Sequence, residues 1–96
     1  MQTVNLLIKG KVQGVYYRNA AKEEADKFGV TGWVKYISEG RVEAMASGNE
    51  KQLQKFIEWC RRGPEKAIVT DVIITPLSWQ KFNDFTVILE DYPHDI

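Results

Sequence analysis

The sequence predicts an α+β fold in which two helices cover one face of a mostly antiparallel sheet. Two segments repeat apolar residues at helical spacing, several shorter segments are apolar runs typical of strands, and glycine or proline separates them. The chain has 96 residues, of which 44% are hydrophobic and 27% charged, an ordinary globular balance. We therefore expect residues 1–96 to form a single domain.

The first half of the chain predicts a strand, a helix and a hairpin. Val4–Ile8 is a short apolar run rich in branched side chains, and it predicts the first strand. From Arg18 the pattern becomes helical, and Gly29 suits the end of that helix because glycine readily adopts positive φ. One face of the predicted helix carries the apolar residues Ala21, Ala25 and Phe28. Thr31–Ile37 and Arg41–Ala46 then predict two strands joined by a short turn.

The second half predicts another helix and two more strands. Asn49 is suited to cap the helix, and Gln52 three residues later completes a capping box. Gly63 and Pro64 end it. Its core-facing stripe consists of Leu53, Phe56, Ile57 and Cys60. Ala67–Thr75 then predicts a fourth strand closed by Pro76, and Phe85–Leu89 predicts a last strand. Tyr92–Ile96 is a tail.

The predicted order is β-α-β-β-α-β with a short C-terminal fifth strand. This order is that of the ferredoxin-like split βαβ sandwich. The fold hosts many unrelated activities, so the function has to be argued from particular residues.

Composition and residue inventory exclude several kinds of site. The formal net charge is zero, whereas a dedicated nucleic-acid binder usually has a basic excess, so we expect no nucleic-acid partner. The single cysteine, Cys60, excludes an intrachain disulfide and a cysteine-rich metal site, and its place on the apolar stripe predicts a buried thiol. The single histidine, His94, lies in the tail, where we expect a solvated residue and no Ser–His or Cys–His pair.

The remaining features of the inventory concern ligands and location. No cluster of potential ligands has metal-binding spacing, so we expect no metal and no cofactor. The N-terminus has no signal-peptide pattern, and no apolar run is long enough to span a bilayer. We therefore expect a cytoplasmic protein without a membrane partner.

The stretch Gly10–Arg18 combines a strand end, a glycine-bearing loop and a helix start. Such a turn leaves several backbone N–H groups pointing at one spot beside the positive end of a helix dipole. Gly14 lets the chain bend where a side chain would collide with a bound group. Arg18 opposes the helix dipole by about 0.3–1 kcal/mol, a conflict that a bound anion would remove. On spacing alone two interpretations stay open, namely an anion site, or turn glycines beside a solvated arginine.

Two longer stretches resemble the signatures of the acylphosphatase family. Residues 8–18 read IKGKVQGVYYR and are similar to the family's G-x-V-Q-G-V-x-aromatic-R, which ends on the catalytic arginine; Tyr17 takes the place of the usual phenylalanine. Residues 32–43 read GWVKYISEGRVE and match the family's G-W-V-[K/R]-N-x-x-x-G-x-V-E except at Tyr36. The resemblance spans nearly the whole chain, and further family-like residues are Gly48, Gly63, Pro64, Ala67 and Val69.

The resemblance implies hydrolysis of acyl phosphates, which are anhydrides of a carboxylic acid and phosphoric acid. It implies a small-molecule acyl phosphate or inorganic phosphate as the ligand, and we expect a monomer. The leaving carboxylate has a conjugate acid of pKa about 4, so it can depart without a general acid, and electrostatic stabilisation can supply most of the catalysis. By resemblance Arg18 is catalytic, and phosphate is bound by Gln13, Gly14, Val15, Tyr16, Tyr17 and Arg18.

Tyr36 stands where the family carries its catalytic asparagine, whose task by resemblance is to place the attacking water. An amide offers one acceptor and two donors on a short stem, whereas a phenol offers one hydroxyl roughly 6 Å from the backbone. Three interpretations are open: the phenol places water poorly and the enzyme is slow, Asn19 or Ser38 takes over, or the chain binds phosphate anions without catalysis. If these residues have no role in catalysis, Tyr36 is an aromatic packed on a strand face, Ser38 a turn residue and Asn19 a solvated residue of the first helical turn.

Three classes of function compete. The first choice is an acylphosphatase-like hydrolase with altered or impaired water activation. The second is a module that binds a small phosphorylated metabolite without turnover. The third is RNA binding, because the RRM shares this topology and uses sheet-face aromatics, for which Tyr16 and Tyr17 are the candidates. The neutral charge and the absence of RNP-type segments count against the third class.

Overall fold

The computed structural model describes residues 1–89, so His94 and the predicted tail lie outside the described residues. The described residues form the elements β1 (Gln2–Lys11), α1 (Tyr17–Phe28), β2 (Thr31–Tyr36), β3 (Val42–Gly48), α2 (Glu50–Arg62), β4 (Ile68–Leu77) and β5 (Phe85–Ile88). The sheet order is β4-β1-β3-β2-β5, and all neighbours are antiparallel except β2 and β5. The predicted α+β, ferredoxin-like fold with a fifth strand is confirmed.

The core lies between the two helices and one face of the sheet. In β1 every second residue faces it, namely Val4, Leu6 and Ile8. The predicted helical stripes face the core. Their fully buried members are Ala21, Ala25, Leu53, Phe56 and Cys60, whereas Phe28 and Ile57 are partly buried and pack against the core. Each large apolar side chain removed from water in this way stabilises the fold by about 1.5–3 kcal/mol. The stripe on α1 thereby orients that helix on the sheet and determines where its N-terminus lies.

The two helices begin differently. In α2 the predicted capping box is confirmed, because Asn49 Oδ1 accepts from Gln52 N and Gln52 Oε1 accepts from Asn49 N, each at 2.8 Å. In α1 the N-cap is Tyr16, whose φ of 70° is left-handed and whose side chain makes no capping hydrogen bond. A left-handed non-glycine residue costs about 1–2 kcal/mol. The N-terminus of α1 is therefore strained locally, while α2 begins in the ordinary way.

β1 is longer than the predicted Val4–Ile8, because its pairing with β4 continues past a register shift between Lys9 and Gly10. Gly10 has a φ of 127°, and a Cβ at this position would collide with the carbonyl oxygen of Ile68. The close approach of the two backbones therefore requires glycine here. The extension carries β1 to Lys11, which brings its end to the start of the loop before α1.

Pro76 does not close β4 as predicted, because the strand continues to Leu77. β4 is at the edge of the sheet, where one side of the backbone has no partner strand and a proline is tolerated. The other element ends differ from the predicted ones by at most two residues, because the ends of helices and strands fray.

Candidate functional site

The loop between β1 and α1 forms a concave row of backbone N–H groups. Gly14 has a φ of 75° and Tyr16 a φ of 70°, so two left-handed residues alternate with Val15 between them. Alternation of this kind directs successive N–H groups to one side, as in anion-binding nests. Among residues 1–89, the N–H groups of Val15, Tyr16 and Tyr17 have no hydrogen-bond acceptor. The loop is therefore a candidate for the predicted phosphate cradle.

The side chain of Gln13 holds the loop against the hairpin between β2 and β3. Its Nε2 donates to the carbonyl oxygens of Ile37 at 2.9 Å and Arg41 at 3.0 Å. Both amide protons are therefore used in bonds to the hairpin. Gln13, predicted as a phosphate-binding residue, has its side chain committed to positioning the loop relative to the end of β2.

Tyr36, the last residue of β2, reaches the loop directly. Its hydroxyl oxygen accepts a hydrogen bond from the N–H of Gly14 at 3.0 Å. The ring is half-buried and packs against the core. The phenol oxygen therefore lies at the first N–H group of the row that continues through Val15, Tyr16 and Tyr17.

Arg18 lies in the first turn of α1, and its guanidinium group stacks on Tyr36. The guanidinium carbon is 3.7 Å from the centroid of the Tyr36 ring. Nη1 donates to the carbonyl oxygen of Ile88 at 3.1 Å and approaches that of Leu89 at 3.5 Å. The end of β5 therefore orients the guanidinium, and the loop, α1, β2 and β5 meet at one point.

Tyr16 and Tyr17 have opposite environments. Tyr17 is buried, its hydroxyl donates to the carbonyl oxygen of Cys60 at 2.6 Å, and its ring centroid is 5.3 Å from that of Trp59. Burial raises the pKa of Tyr17 far above its ordinary value. Tyr16 is exposed and donates to Glu23 at 3.1 Å, a hydrogen bond that raises the pKa of Tyr16. Tyr17 can therefore contact a ligand only through its backbone. Its buried ring cannot stack on a nucleic-acid base.

Neither of the two side chains considered as replacements for the asparagine has a hydrogen bond to the loop within residues 1–89. β2 ends at Tyr36, so Ser38 does not continue its strand face. Ser38 is exposed in the turn, where Oγ accepts from Arg41 Nη2 at 3.2 Å and the carbonyl oxygen accepts from Arg41 Nε at 3.0 Å. Asn19 is an exposed residue of the first turn of α1. Both therefore occupy the structural positions that the sequence suggests.

No metal or membrane feature is found in residues 1–89. This part of the chain contains no group of three or more His, Cys, Asp or Glu side chains that could hold a metal ion. None of its helices has the length and hydropathy needed to cross a bilayer. Cys60 is buried as predicted, and burial raises the pKa of its thiol to about 12. The thiol is accordingly neutral and shielded from the loop.

The contacts that organise this site are not visible in the sequence. The stacking of Arg18 on Tyr36, the bond from Gly14 to the phenol, and the attachment of Gln13 to the hairpin all join segments distant in sequence. The one available signal is Tyr36, which departs from an otherwise intact signature. This departure identifies the position of Tyr36 in the sequence, but it does not show which residues the ring contacts.

Comparison with known proteins gives one consistent result. The acylphosphatase family profile matches residues 4–87. An acylphosphatase of Marinobacter nauticus is 48% identical over 82 residues, which cover 84% of this chain and 89% of that protein. An acylphosphatase of Methylococcus capsulatus is 39% identical over 89 residues, covering 92% and 97% of the two chains. The crystal structure of acylphosphatase from Bacillus subtilis superposes with a TM-score of 0.88 at 36% identity, covering 92% of this chain and 99% of that one.

Proposed function

The chain belongs to the acylphosphatase family, and we propose that it hydrolyses the carboxyl–phosphate bond of small acyl phosphates with altered water activation. The products are a carboxylate and inorganic phosphate. The observation that carries this proposal is the convergence of the Arg18 guanidinium and the N–H row of the loop at the N-terminus of α1. The similarity to named acylphosphatases over most of the chain supports the same activity.

The phosphoryl group is bound by backbone and by one cation. The N–H groups of Val15, Tyr16 and Tyr17 donate to its oxygens, and the dipole of α1 adds a favourable field for an anion. Arg18 presents a planar fork that suits two phosphoryl oxygens, while Ile88 fixes one of its nitrogens. These groups stabilise charge that develops on the phosphoryl oxygens during transfer.

Departure of the leaving group requires no general acid. The conjugate acid of a carboxylate has a pKa of about 4, so the group leaves as an anion at neutral pH. The site side chains described above, Gln13, Arg18 and Tyr36, include no carboxyl and no imidazole group. The chemistry therefore depends on holding the phosphoryl group and on the supply of a nucleophile.

Water activation is altered because of Tyr36. The phenol oxygen extends roughly 3 Å further from the backbone than an asparagine amide, which is about one hydrogen-bond length. It lies on Gly14 N–H and so takes space beside the bound phosphoryl group where a water held by a shorter side chain would fit. We therefore propose that steady-state hydrolysis is slow in this protein.

A second candidate is a phosphate-binding module without turnover. The specific observation in its favour is the same hydrogen bond, because a phenol fixed at Gly14 supports anion binding by the neighbouring N–H groups without placing a water. Turnover of benzoyl phosphate separates the two candidates. Released benzoate in excess of the protein supports the hydrolase, and phosphate binding without release supports the module.

The experiment that tests the site combines binding with kinetics. Titration with inorganic phosphate, followed by backbone amide shifts, is expected to move Gly14 to Arg18 first, at millimolar concentrations as an order-of-magnitude value for a small exposed anion. Benzoyl phosphate hydrolysis is then measured for wild type and Arg18→Lys. Shifts confined to another surface, or wild-type turnover in Arg18→Lys, would contradict the assignment.

We further propose that the protein acts as a cytoplasmic monomer on a small molecule and binds no nucleic acid. Tyr17 is buried, and Lys35 is engaged on its own sheet face, with its nitrogen 5.1 Å from the Trp33 ring centroid and 3.9 Å from Glu43. With Tyr17 buried, the pair of aromatics formed by Tyr16 and Tyr17 cannot serve as a stacking platform for a strand of RNA. A salt-dependent gel shift with single-stranded RNA would contradict the proposal, and size-exclusion chromatography with light scattering tests the monomer.

A further inference from the structure

We infer that the hydroxyl of Tyr36 is itself a nucleophile, and that the protein transfers the phosphoryl group of an acyl phosphate to it to form a phosphotyrosine within the loop. This inference rests on the proposed function, because it requires an acyl phosphate bound by the loop and Arg18. It goes beyond that function, since hydrolysis by water requires no covalent intermediate.

The position of the phenol oxygen supports the transfer. Tyr36 Oη accepts the Gly14 N–H at 3.0 Å, and it therefore stands where one oxygen of a phosphate bound by the whole N–H row would stand. When the oxygen attacks, it becomes the fourth oxygen of the phosphate and keeps its bond to Gly14. The three non-bridging oxygens then meet the N–H groups of Val15, Tyr16 and Tyr17, which have no acceptor within residues 1–89. The phosphorylated side chain thus fits the loop as a phosphate ion does.

Tyr36 also differs from the other nucleophilic side chains around the loop. The hydroxyl of Tyr17 is buried and donates to the core carbonyl of Cys60. Tyr16 points along α1 to Glu23, and Ser38 is bonded to Arg41 in the turn. Within residues 1–89, the hydroxyl that touches the N–H row is that of Tyr36.

The step balances without any additional reactant. A lone pair of Tyr36 Oη forms a bond to phosphorus, and the bond from phosphorus to the acyl oxygen breaks with its electron pair remaining on the carboxylate. The phenolic proton passes to solvent, and nothing is oxidised or reduced. The Arg18 guanidinium, 3.7 Å from the ring centroid, stabilises the negative charge on the phosphoryl oxygens.

The chemistry also predicts that the phosphorylated form accumulates. The conjugate acid of the departing carboxylate has a pKa of about 4, whereas a phenol has one of about 10, so phosphotyrosine is the more slowly cleaved of the two phosphates. Formation of the ester is therefore fast relative to its hydrolysis. One carboxylate per protein is released in a first turnover before the steady state is reached.

The test uses the full chain and benzoyl phosphate. Reactions are quenched in acid within the first turnover, and the intact mass and the site of modification are determined by mass spectrometry. We expect one added phosphoryl group per protein at Tyr36, an equimolar burst of benzoate, and suppression of both by excess inorganic phosphate. Tyr36→Phe keeps the ring that Arg18 contacts and should lose the label at least tenfold, while the control Ser38→Ala should keep it.

The other possible results distinguish failure of the inference from failure of the proposed function. Benzoate release without label on Tyr36 overturns the inference and leaves the proposed hydrolase standing. Phosphate binding at the loop with neither label nor release overturns the inference and favours the binding module. Absence of binding, label and release together contradicts the proposed function itself. Equal labelling of urea-unfolded protein also overturns the inference, because the reactivity would then belong to an exposed phenol and not to the loop.

Discussion

Replacement of Tyr36 by asparagine perturbs the contact that distinguishes this site. The change removes the hydrogen bond from Gly14 N–H, and it removes the ring on which Arg18 lies 3.7 Å from the centroid. The hydrogen bond contributes about 0.5–1.5 kcal/mol, with the low end expected at an exposed position. The exposed cation–π contact contributes about 0.5–1 kcal/mol, and loss of the half-buried ring adds about 1 kcal/mol. We therefore expect the free energy of unfolding to fall by about 2–3 kcal/mol.

The same substitution is expected to raise kcat for benzoyl phosphate tenfold or more, which corresponds to about 1.4 kcal/mol from the barrier. The shorter amide leaves room for a water beside the phosphoryl group and offers it an acceptor. KM should change less than kcat, because the amide acts on the water and not on the bound phosphoryl group. A slowly cleaved phosphotyrosine predicts a rise in the same direction, since asparagine cannot form that ester, but the full tenfold gain also requires the amide to place the water.

Tyr36→Phe is the matched control, because it removes only the hydroxyl and keeps the ring under Arg18. It should lower stability by about 0.5–1 kcal/mol and should not produce the tenfold gain. Steady-state kinetics and urea unfolding of wild type, Tyr36→Asn and Tyr36→Phe test both expectations. A fast wild type whose kcat is unchanged or reduced in Tyr36→Asn would refute the reasoning, and Asn19 and Ser38 would then be the next residues to replace.

Three further predictions concern the loop and the core. Arg18→Lys should reduce acyl phosphate hydrolysis by about two orders of magnitude or more, since a point charge does not replace the planar guanidinium. Its free energy of unfolding in urea should fall by only about 0.5–1.5 kcal/mol. Wild-type turnover in this variant would exclude a catalytic role for Arg18. Gly14→Ala should lower the free energy of unfolding by about 1–2 kcal/mol through its positive φ alone, because a Cβ there meets nothing within 4 Å. Gly10→Ala should lower it by about 3 kcal/mol or more, because its Cβ collides with the Ile68 carbonyl. Equal unfolding midpoints for the two alanine variants would contradict that difference. Because burial raises the pKa of Cys60 to about 12, the folded thiol stays neutral while the unfolded one ionises. Stability should therefore fall as the pH rises above about 8.5, by up to about 1.4 kcal/mol per pH unit. Cys60→Ala should show a smaller decrease in free energy of unfolding between pH 8 and 9.5, and an identical decrease would show that the thiol does not contribute.

The expected effect of Arg18→Lys on stability differs from the one that the sequence alone predicts. The helix dipole by itself favours removal of a cation from the first turn of α1, which would leave stability unchanged or slightly improved. In the structure the guanidinium stacks on Tyr36 and donates to Ile88. These contacts offset the dipole, and a lysine reproduces them poorly because its charge is a compact point.

The order and type of the elements could be predicted from the sequence, and the reason is local. The capping box at Asn49 and Gln52 uses bonds between residues three positions apart, and the buried stripe of α2 follows helical spacing. The strand ends were less predictable. Pro76 is compatible with β4 only because that strand lies at an edge, and a sheet edge is a property of the whole topology.

By itself the sequence determined the fold class, the membership in the family and the position of the glycine-bearing loop before α1, because periodicity, glycines and a contiguous signature are all carried by neighbouring residues. Only the tertiary structure decided what the loop residues contact. It tied the side chain of Gln13 to the hairpin and buried Tyr17 against the core. It also placed the phenol of Tyr36 on Gly14 N–H, 22 positions earlier in the chain. The physical reason is that these contacts depend on the register of β2 beside β3 and on the direction in which each side chain leaves its strand, and neither is encoded by the residues that make the contact.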